Sequence, residues 1–299
     1  MPDEPPALDG VEHRYVNAGG LRMHVAEAGS GPPLVLLHGW PENWFAWRKL
    51  IGPLSETYRV ICPDLRGFGW SEAPPRGYEK EQFATDVLAL LDALDIERFR
   101  LAGHDWGGFA AFLIALRAPE RVERLVVMSI NHPWLRLEGG VGERLKGLLN
   151  TAYQPVLATP LLGPRVMRFP KLIARGLRYS SAAEDAWTDD ELALIAGRWR
   201  DPARAQATSL VYRTFLLREL RPLLGGIYRD RRLTTPTLLL TGSEDPVTSA
   251  KLVSPGYEPY ADDMRVEEIA GAGHWLPEER PQAVLERMRS FFAEAPEPV

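Results

Sequence analysis

The chain has 299 residues, 45% of them hydrophobic and 25% charged, the balance of an ordinary globular protein with a sizeable core. Its net charge of -5 argues against nucleic acid or an anionic membrane as main partner, since both favour a basic face. The single cysteine, Cys62, excludes an intramolecular disulfide and reads, within "YRVICPD", as a small buried hydrophobe.

The start, "MPDEPPALDG", is acidic and proline-rich and does not read as a secretory signal. No apolar run approaches the roughly 18 residues of a membrane helix, so a cytoplasmic protein without a membrane span is expected. Alternation of apolar and polar residues on both sides of Asn17-Ala18-Gly19-Gly20 predicts a β-hairpin. "PPLVLLHGWP" and "YRVICPDLRGFG" are continuous apolar runs ending at glycine, as buried parallel strands are. Phe83, Val87, Leu90, Leu91 and Leu94 recur at helical spacing. "RFRLAGHDWGG" reads as strand and tight turn, "GGFAAFLIALRAP" as a helix stopped by Pro119, and "VERLVVMSIN" as the next strand. This order predicts an α/β domain on a mainly parallel sheet. From His132 to Arg232 clear strands are lacking, and "GVGERLKGLLNTAY", "DDELALIAGRWR" and "SLVYRTFLLREL" read as helices. The β-α pattern resumes in "TPTLLLTGSEDPV" and "MRVEEIAGAGHW", followed by the helix "PQAVLERMRSFF". The expected organisation is a core of residues 1–131 and 233–299 interrupted by a helical cap of residues 132–232.

Gly103-His104-Asp105-Trp106-Gly107 has the spacing of a nucleophile elbow with aspartate at its centre. A carboxylate of ordinary pKa near 4 arrives ionised and needs no activating base. Attack on an acyl group would give an anhydride, whereas attack on saturated carbon gives an ordinary ester. Asp105 therefore points to displacement at an alkyl carbon. Hydrolysing that ester needs a general base with an orienting acid. Among six histidines, only His274 lies in a loop straight after the last strand. Asp245 follows the preceding strand, with Glu244 as a neighbouring alternative. The order Asp105, Asp245, His274 is that of nucleophile, acid and histidine in this type of site. The backbone N–H groups of Trp106 and Trp40 are the expected oxyanion donors, and a cis Trp40-Pro41 bond is suspected.

"HGWPE", "PDLRGFGWSEAP", "GHDWGG", "GSEDP" and "GAGHW", in this order over nearly the whole chain, resemble the epoxide hydrolases of the α/β-hydrolase superfamily. Haloalkane dehalogenases are near relatives. The resemblance implies an α/β-hydrolase fold, with an eight-stranded, mainly parallel sheet flanked by helices and an all-helical cap. It implies an epoxide opened to a vicinal diol through an ester on Asp105, which water activated by His274 then resolves. It also implies two cap tyrosines that hold and protonate the epoxide oxygen. These fall on Tyr153 and Tyr212, with Tyr179 in reserve. His38, Phe109 and Trp134 are expected to line the pocket, with Phe112, Leu135 and Phe215 as further apolar candidates. His132 reads as a hinge or surface residue. The expected partner is a small apolar epoxide, with no metal or organic cofactor, in a monomer or homodimer. Haloalkane dehalogenation is the alternative activity. The resemblance implies that Trp106 would serve it as a halide donor but is equally usual in epoxide hydrolases, and Trp134, Trp187 and Trp199 are the candidate second donors in the cap. A non-catalytic ligand-binding protein is a third reading.

Overall fold

The computed structural model describes residues 4–134, 151–248 and 256–294. Eight strands, β1 (Glu12–Ala18), β2 (Leu21–Ala28), β3 (Pro33–Leu37), β4 (Arg59–Pro63), β5 (Phe99–His104), β6 (Val122–Met128), β7 (Thr237–Gly242) and β8 (Met264–Ile269), form one sheet. Their spatial order is β1-β2-β4-β3-β5-β6-β7-β8. β1 and β2 are the expected hairpin, and β2 pairs antiparallel with β4. The remaining strands are parallel.

The apolar runs are continuous because both sheet faces are covered. Val35 and Leu37 enter one core with α2 (Lys80–Ala93) and α3 (Trp106–Arg117). Leu34 and Leu36 enter the other, with α1 (Arg48–Ser55). Cys62 is fully buried in β4.

Between β6 and β7 the described residues are helical: α4 (Tyr153–Ala158), α5 (Leu162–Met167), α6 (Pro170–Tyr179), α7 (Asp189–Gly197) and α8 (Pro202–Thr214). α8 runs through a π-helical turn, Phe215–Glu219, into α9 (Leu220–Gly225). Most of the stretch "GVGERLKGLLNTAY" lies outside the described residues. After β8 come α10 (Leu276–Glu279) and α11 (Pro281–Ala293).

Polar side chains fasten this helical segment to the sheet. Arg48 of α1 bonds Glu191 of α7 at 2.9 Å and also reaches Glu278 of α10. Burial raises the Glu278 carboxyl to about 7 although Arg48 and Lys49 pull the other way. Lys80 pairs with Glu219 of the π-turn at 2.7 Å. Glu279 is the tightest fastener. Its carboxyl accepts from the N–H groups of Ala182 (2.6 Å) and Ala183 (3.0 Å) in the helical segment, and from Gly273 (2.9 Å) and Trp275 (2.9 Å) beside β8.

Glu279→Gln turns an amide N–H₂ toward some of these donors and leaves buried N–H groups unpaired, a loss of about 2–4 kcal/mol. Urea unfolding of the variant against the wild type measures it.

Candidate active site

Four of the expected residues follow the carboxyl ends of parallel strands: Trp40 after β3, Asp105 after β5, Asp245 after β7 and His274 after β8. Sheets of this kind place their chemistry at that edge. The elbow holds Asp105 at φ +50°, ψ -127°, a conformation side-chain-bearing residues rarely adopt. Its N–H is bonded to the Met128 carbonyl and its carbonyl to the Phe109 N–H, both at 3.0 Å. A Cβ on Gly107 would collide with the Leu37 and His38 carbonyls, and one on Gly39 with the Asp105 side chain. Glycine at these two positions lets the elbow, the first turn of α3 and the Trp40 loop meet.

The Trp40 N–H donates to Asp105 Oδ1 at 2.9 Å. The Trp40-Pro41 bond is cis. The other oxygen, Oδ2, faces His274 Nε2 at 3.7 Å, and His274 Nδ1 bonds Asp245 Oδ2 at 3.0 Å. Asp245 also accepts from the N–H groups of Val247 (2.7 Å) and Thr248 (3.0 Å) and from the Thr248 hydroxyl. Burial alone would raise the Asp245 carboxyl, but His274 and these donors hold it far below the usual range. Burial would lower His274, but Asp245 and Asp105 together lift it to about 10. The imidazole is therefore cationic while both carboxylates face it. The Glu244 side chain makes no bond to His274 among the described residues, whereas Asp245 does.

Four aromatic rings stand around Asp105. Trp40 stacks on Tyr153 with ring centres 5.6 Å apart and planes 10° apart. Tyr212 meets Trp40, Tyr153 and Trp106 edge-on, at 5.2, 5.7 and 6.2 Å. Tyr212 is buried, whereas Tyr153 leaves 36% of its surface exposed; both phenols lie close enough to each other and to Asp105 to feel their charge. Burial, reinforced by the Asp105 charge, pushes the Tyr153 phenol up to about 12. Burial, Tyr153 and Asp105 push Tyr212 up as well. Phe109 packs edge-on against Trp106 at 6.4 Å, and Phe215 does so at 4.8 Å.

Other expected residues stand elsewhere. His38 is fully buried, bonding the Gly39 carbonyl at 2.9 Å and accepting from the Leu65 N–H at 3.0 Å. It holds two loops together instead of lining the pocket. Trp134 is buried, donates to the Tyr228 carbonyl at 2.7 Å and stacks on Tyr260, so it too belongs to the framework. His132, expected at a hinge or surface, is buried, and Phe112 is plain core. Tyr179 is 86% exposed and takes no part. Leu135 lies outside the described residues. The other candidate halide donors are occupied: Trp187 Nε1 by the Ser181 hydroxyl (2.9 Å) and Trp199 Nε1 by the Pro41 carbonyl (2.8 Å).

Three contributors were not singled out from the sequence. His104 bonds Glu42 at 3.0 Å and the His274 carbonyl at 2.9 Å, bracing the imidazole's backbone from behind. Glu279 fixes the residues on either side of His274. The Lys80 ammonium lies 4.6 Å from the centre of the Trp106 ring and is buried. Glu42 and His104 stand inside quoted motifs and could have been marked there. A buried lysine at a helix start leaves no such mark. Among the described residues no group of three or more His, Cys, Asp or Glu is arranged to hold a metal ion.

Residues 32–281 match the family described as the alpha/beta hydrolase fold. The chain is 31% identical to the soluble epoxide hydrolase of Corynebacterium sp. (strain C12), covering 95% of this chain and 98% of that one. It is 30% identical to epoxide hydrolase 2 of Siraitia grosvenorii, over 95% and 99% of the two chains. The solved structure of epoxide hydrolase CorEH without ligand superposes with a TM-score of 0.84 at 29% identity, over 95% of this chain and 99% of that one. That of a putative epoxide hydrolase from Pseudomonas aeruginosa gives 0.84 at 30% identity, over 97% and 98%. The elbow aspartate, the order of the strand-end residues, the sheet and these likenesses agree: the chain belongs to the epoxide hydrolase family of the α/β-hydrolase superfamily.

Proposed function

We propose that this protein hydrolyses an epoxide to a vicinal diol through an ester on Asp105, with residues 132–232 acting as the cap over the site. The observation that carries the reading is the pair of tyrosines, Tyr153 and Tyr212, whose rings pack against each other and against Trp40 and whose phenols feel the charge of a carboxylate that needs no activation. An epoxide opens to an alkoxide, a poor leaving group unless it is protonated or strongly hydrogen-bonded. A phenol at about 12 remains more acidic than water at about 15.7 and can supply that proton. Halide displacement needs a pair of N–H donors instead. The Trp106 indole N–H is buried with no acceptor among the described residues, but the cap candidates for the second donor, Trp134, Trp187 and Trp199, are already bonded to protein acceptors.

The geometry supports the following steps. The tyrosine hydroxyls bind the epoxide oxygen. Asp105 Oδ2 attacks a ring carbon, the C–O bond breaks, and the tyrosine proton passes to the new alkoxide. Asp105 Oδ1 remains on the Trp40 N–H as the ester carbonyl oxygen. Ester formation removes the charge from Asp105. His274 loses one of the two carboxylates that raise it, so its proton affinity falls. Its proton passes through solvent to the tyrosinate left by ring opening, and the neutral imidazole can then take a proton from water. The alkylation thus creates its own base. Hydroxide attacks the Asp105 carboxyl carbon. The oxyanion is held by the Trp40 and Trp106 N–H groups, and its collapse releases the diol.

A single turnover in heavy-oxygen water should place label in the Asp105 carboxyl first, while the diol receives an oxygen from the enzyme. Label entering the diol directly would sink the covalent route. His274→Gln should form the ester and stop, visible as a mass adduct on Asp105.

Tyr212→Phe should slow epoxide opening on the order of 100-fold, the scale of losing a general acid, and leave ester hydrolysis unchanged. Rapid-quench measurement of the two steps separates these outcomes.

Stability should carry the charge of His274. Its value of about 10 in the folded protein lies above the ordinary 6.5. Its contribution is therefore fully present below about pH 6.5 and fades as pH climbs toward 10. Denaturant unfolding from about pH 6 to about pH 10 should show the wild type losing stability and His274→Gln losing less.

A further inference from the structure

The chain as a whole is acidic, yet residues 151–183 contain no Asp or Glu and five cations: Arg165, Arg168, Lys171, Arg175 and Arg178. All five are exposed. Arg178 pairs with Asp189 at 2.6 Å. The other four have no acidic partner among the described residues.

On α6 the inward face is Ile173 and Leu177, both buried. Phe169, Leu172, Gly176 and Tyr179 recur every three or four residues along a second, outward stripe. Phe169 is 62% exposed, Leu172 54% and Tyr179 86%. Arg168, Lys171, Arg175 and Arg178 repeat the same spacing one residue away, so a cationic stripe runs beside the apolar one. Just before α6, Leu161 (72%) and Leu162 (47%) extend the exposed apolar surface. A groove of about 510 Å³ opens between α6 and α7. Leu192 and Ala196 line it together with four cations, Lys171, Arg175, Arg178 and Arg200, and one acid, Asp189, which Arg178 already pairs. None of its lining residues belongs to the candidate active site.

Exposed large apolar residues in a row call for a covering surface. The cationic stripe beside them selects it. A second copy docked by this face would set two strongly positive patches against each other, because a two-fold contact brings like against like. Nucleic acid would satisfy the cations and leave the leucines and phenylalanine in water. A bilayer with anionic headgroups satisfies both: apolar side chains enter the acyl boundary and the cations meet phosphate. We infer that the α5–α6 face docks on an anionic lipid surface, with the α6–α7 groove receiving a headgroup. Among the described residues no helix is long and apolar enough to cross a membrane, so the contact is peripheral. The proposal is independent of the reaction assigned to Asp105 and is tested without it.

The test is co-sedimentation of the intact chain with phosphatidylcholine vesicles, pure or carrying about a third phosphatidylglycerol. The wild type should partition at least about tenfold more strongly onto the anionic vesicles, and the difference should collapse between about 0.1 and about 0.5 M salt. Arg168→Glu/Arg175→Glu should lose at least about tenfold in partitioning. Phe169→Ser/Leu172→Ser should weaken it too, and both exposed-site variants should keep the wild-type unfolding midpoint. Equal binding to neutral vesicles, no binding, or wild-type binding by either variant overturns the proposal. A wild-type dimer that Phe169→Ser/Leu172→Ser dissociates without lipid would assign the face to a second copy. Binding to polyglutamate as strong as to vesicles, and indifferent to the serine substitutions, would assign it to an acidic polypeptide. Either result also overturns the proposal.

Discussion

Two carboxylates share one imidazole in a buried place, and the rest of the site is arranged around that fact. Asp245 holds one side of His274 at 3.0 Å and Asp105 faces the other at 3.7 Å. With both charged, the imidazole keeps its proton and the cluster carries one net negative charge. The same charge on Asp105 makes the nearby phenols weaker acids. Asp105, His274 and the two phenols are thus parts of one electrostatic system, in which a change of charge on the first changes the proton affinity of the others.

Such a cluster is useful only if nothing in it can drift. Each member is held by backbone. Asp105 sits in a strained turn whose own N–H and carbonyl are both bonded. Asp245 is gripped by two N–H groups and a hydroxyl. His274 donates its N–H to the Ser180 carbonyl at 3.1 Å, while its carbonyl accepts from His104. The buried polar groups behind the site are therefore satisfied by the loops they position. The stiffness of the loops and the geometry of the site have the same cause.

The fold was legible wherever periodicity and glycine punctuation are local. The hairpin at Gly19-Gly20, the apolar runs of β3 and β4 and the elbow at Asp105 each declare themselves within about ten residues. The strand-end logic also brought Asp105, Asp245, His274 and Trp40 together, because strand order in a parallel sheet puts them on one edge. What escaped was set by tertiary contact. His38 and Trp134 carry groups that could serve a pocket, yet their nitrogens are taken: those of His38 by the adjacent Gly39 carbonyl and the distant Leu65 N–H, that of Trp134 by the distant Tyr228 carbonyl. Tyr179 resembles Tyr153 in composition of surroundings, but α6 turns it to solvent. Glu279 looks like one more acid at a helix start until residues 182 and 183 are seen to converge on it. Net charge is an average, and the excess of acids elsewhere hides a stretch of 33 residues without one.

The Ser180 carbonyl and the Ala182 and Ala183 N–H groups belong to the helical segment, yet they fasten the loop of His274. That segment therefore cannot swing away as one rigid lid without taking the base with it. A motion of the helical segment that leaves His274 in place is confined to parts other than the end of α6 and residues 180–183. Protection from hydrogen exchange would then divide within the helical segment, with the slow-exchanging part counted with the sheet. A boundary between rigid and yielding parts thus falls inside what chain order presents as one inserted unit.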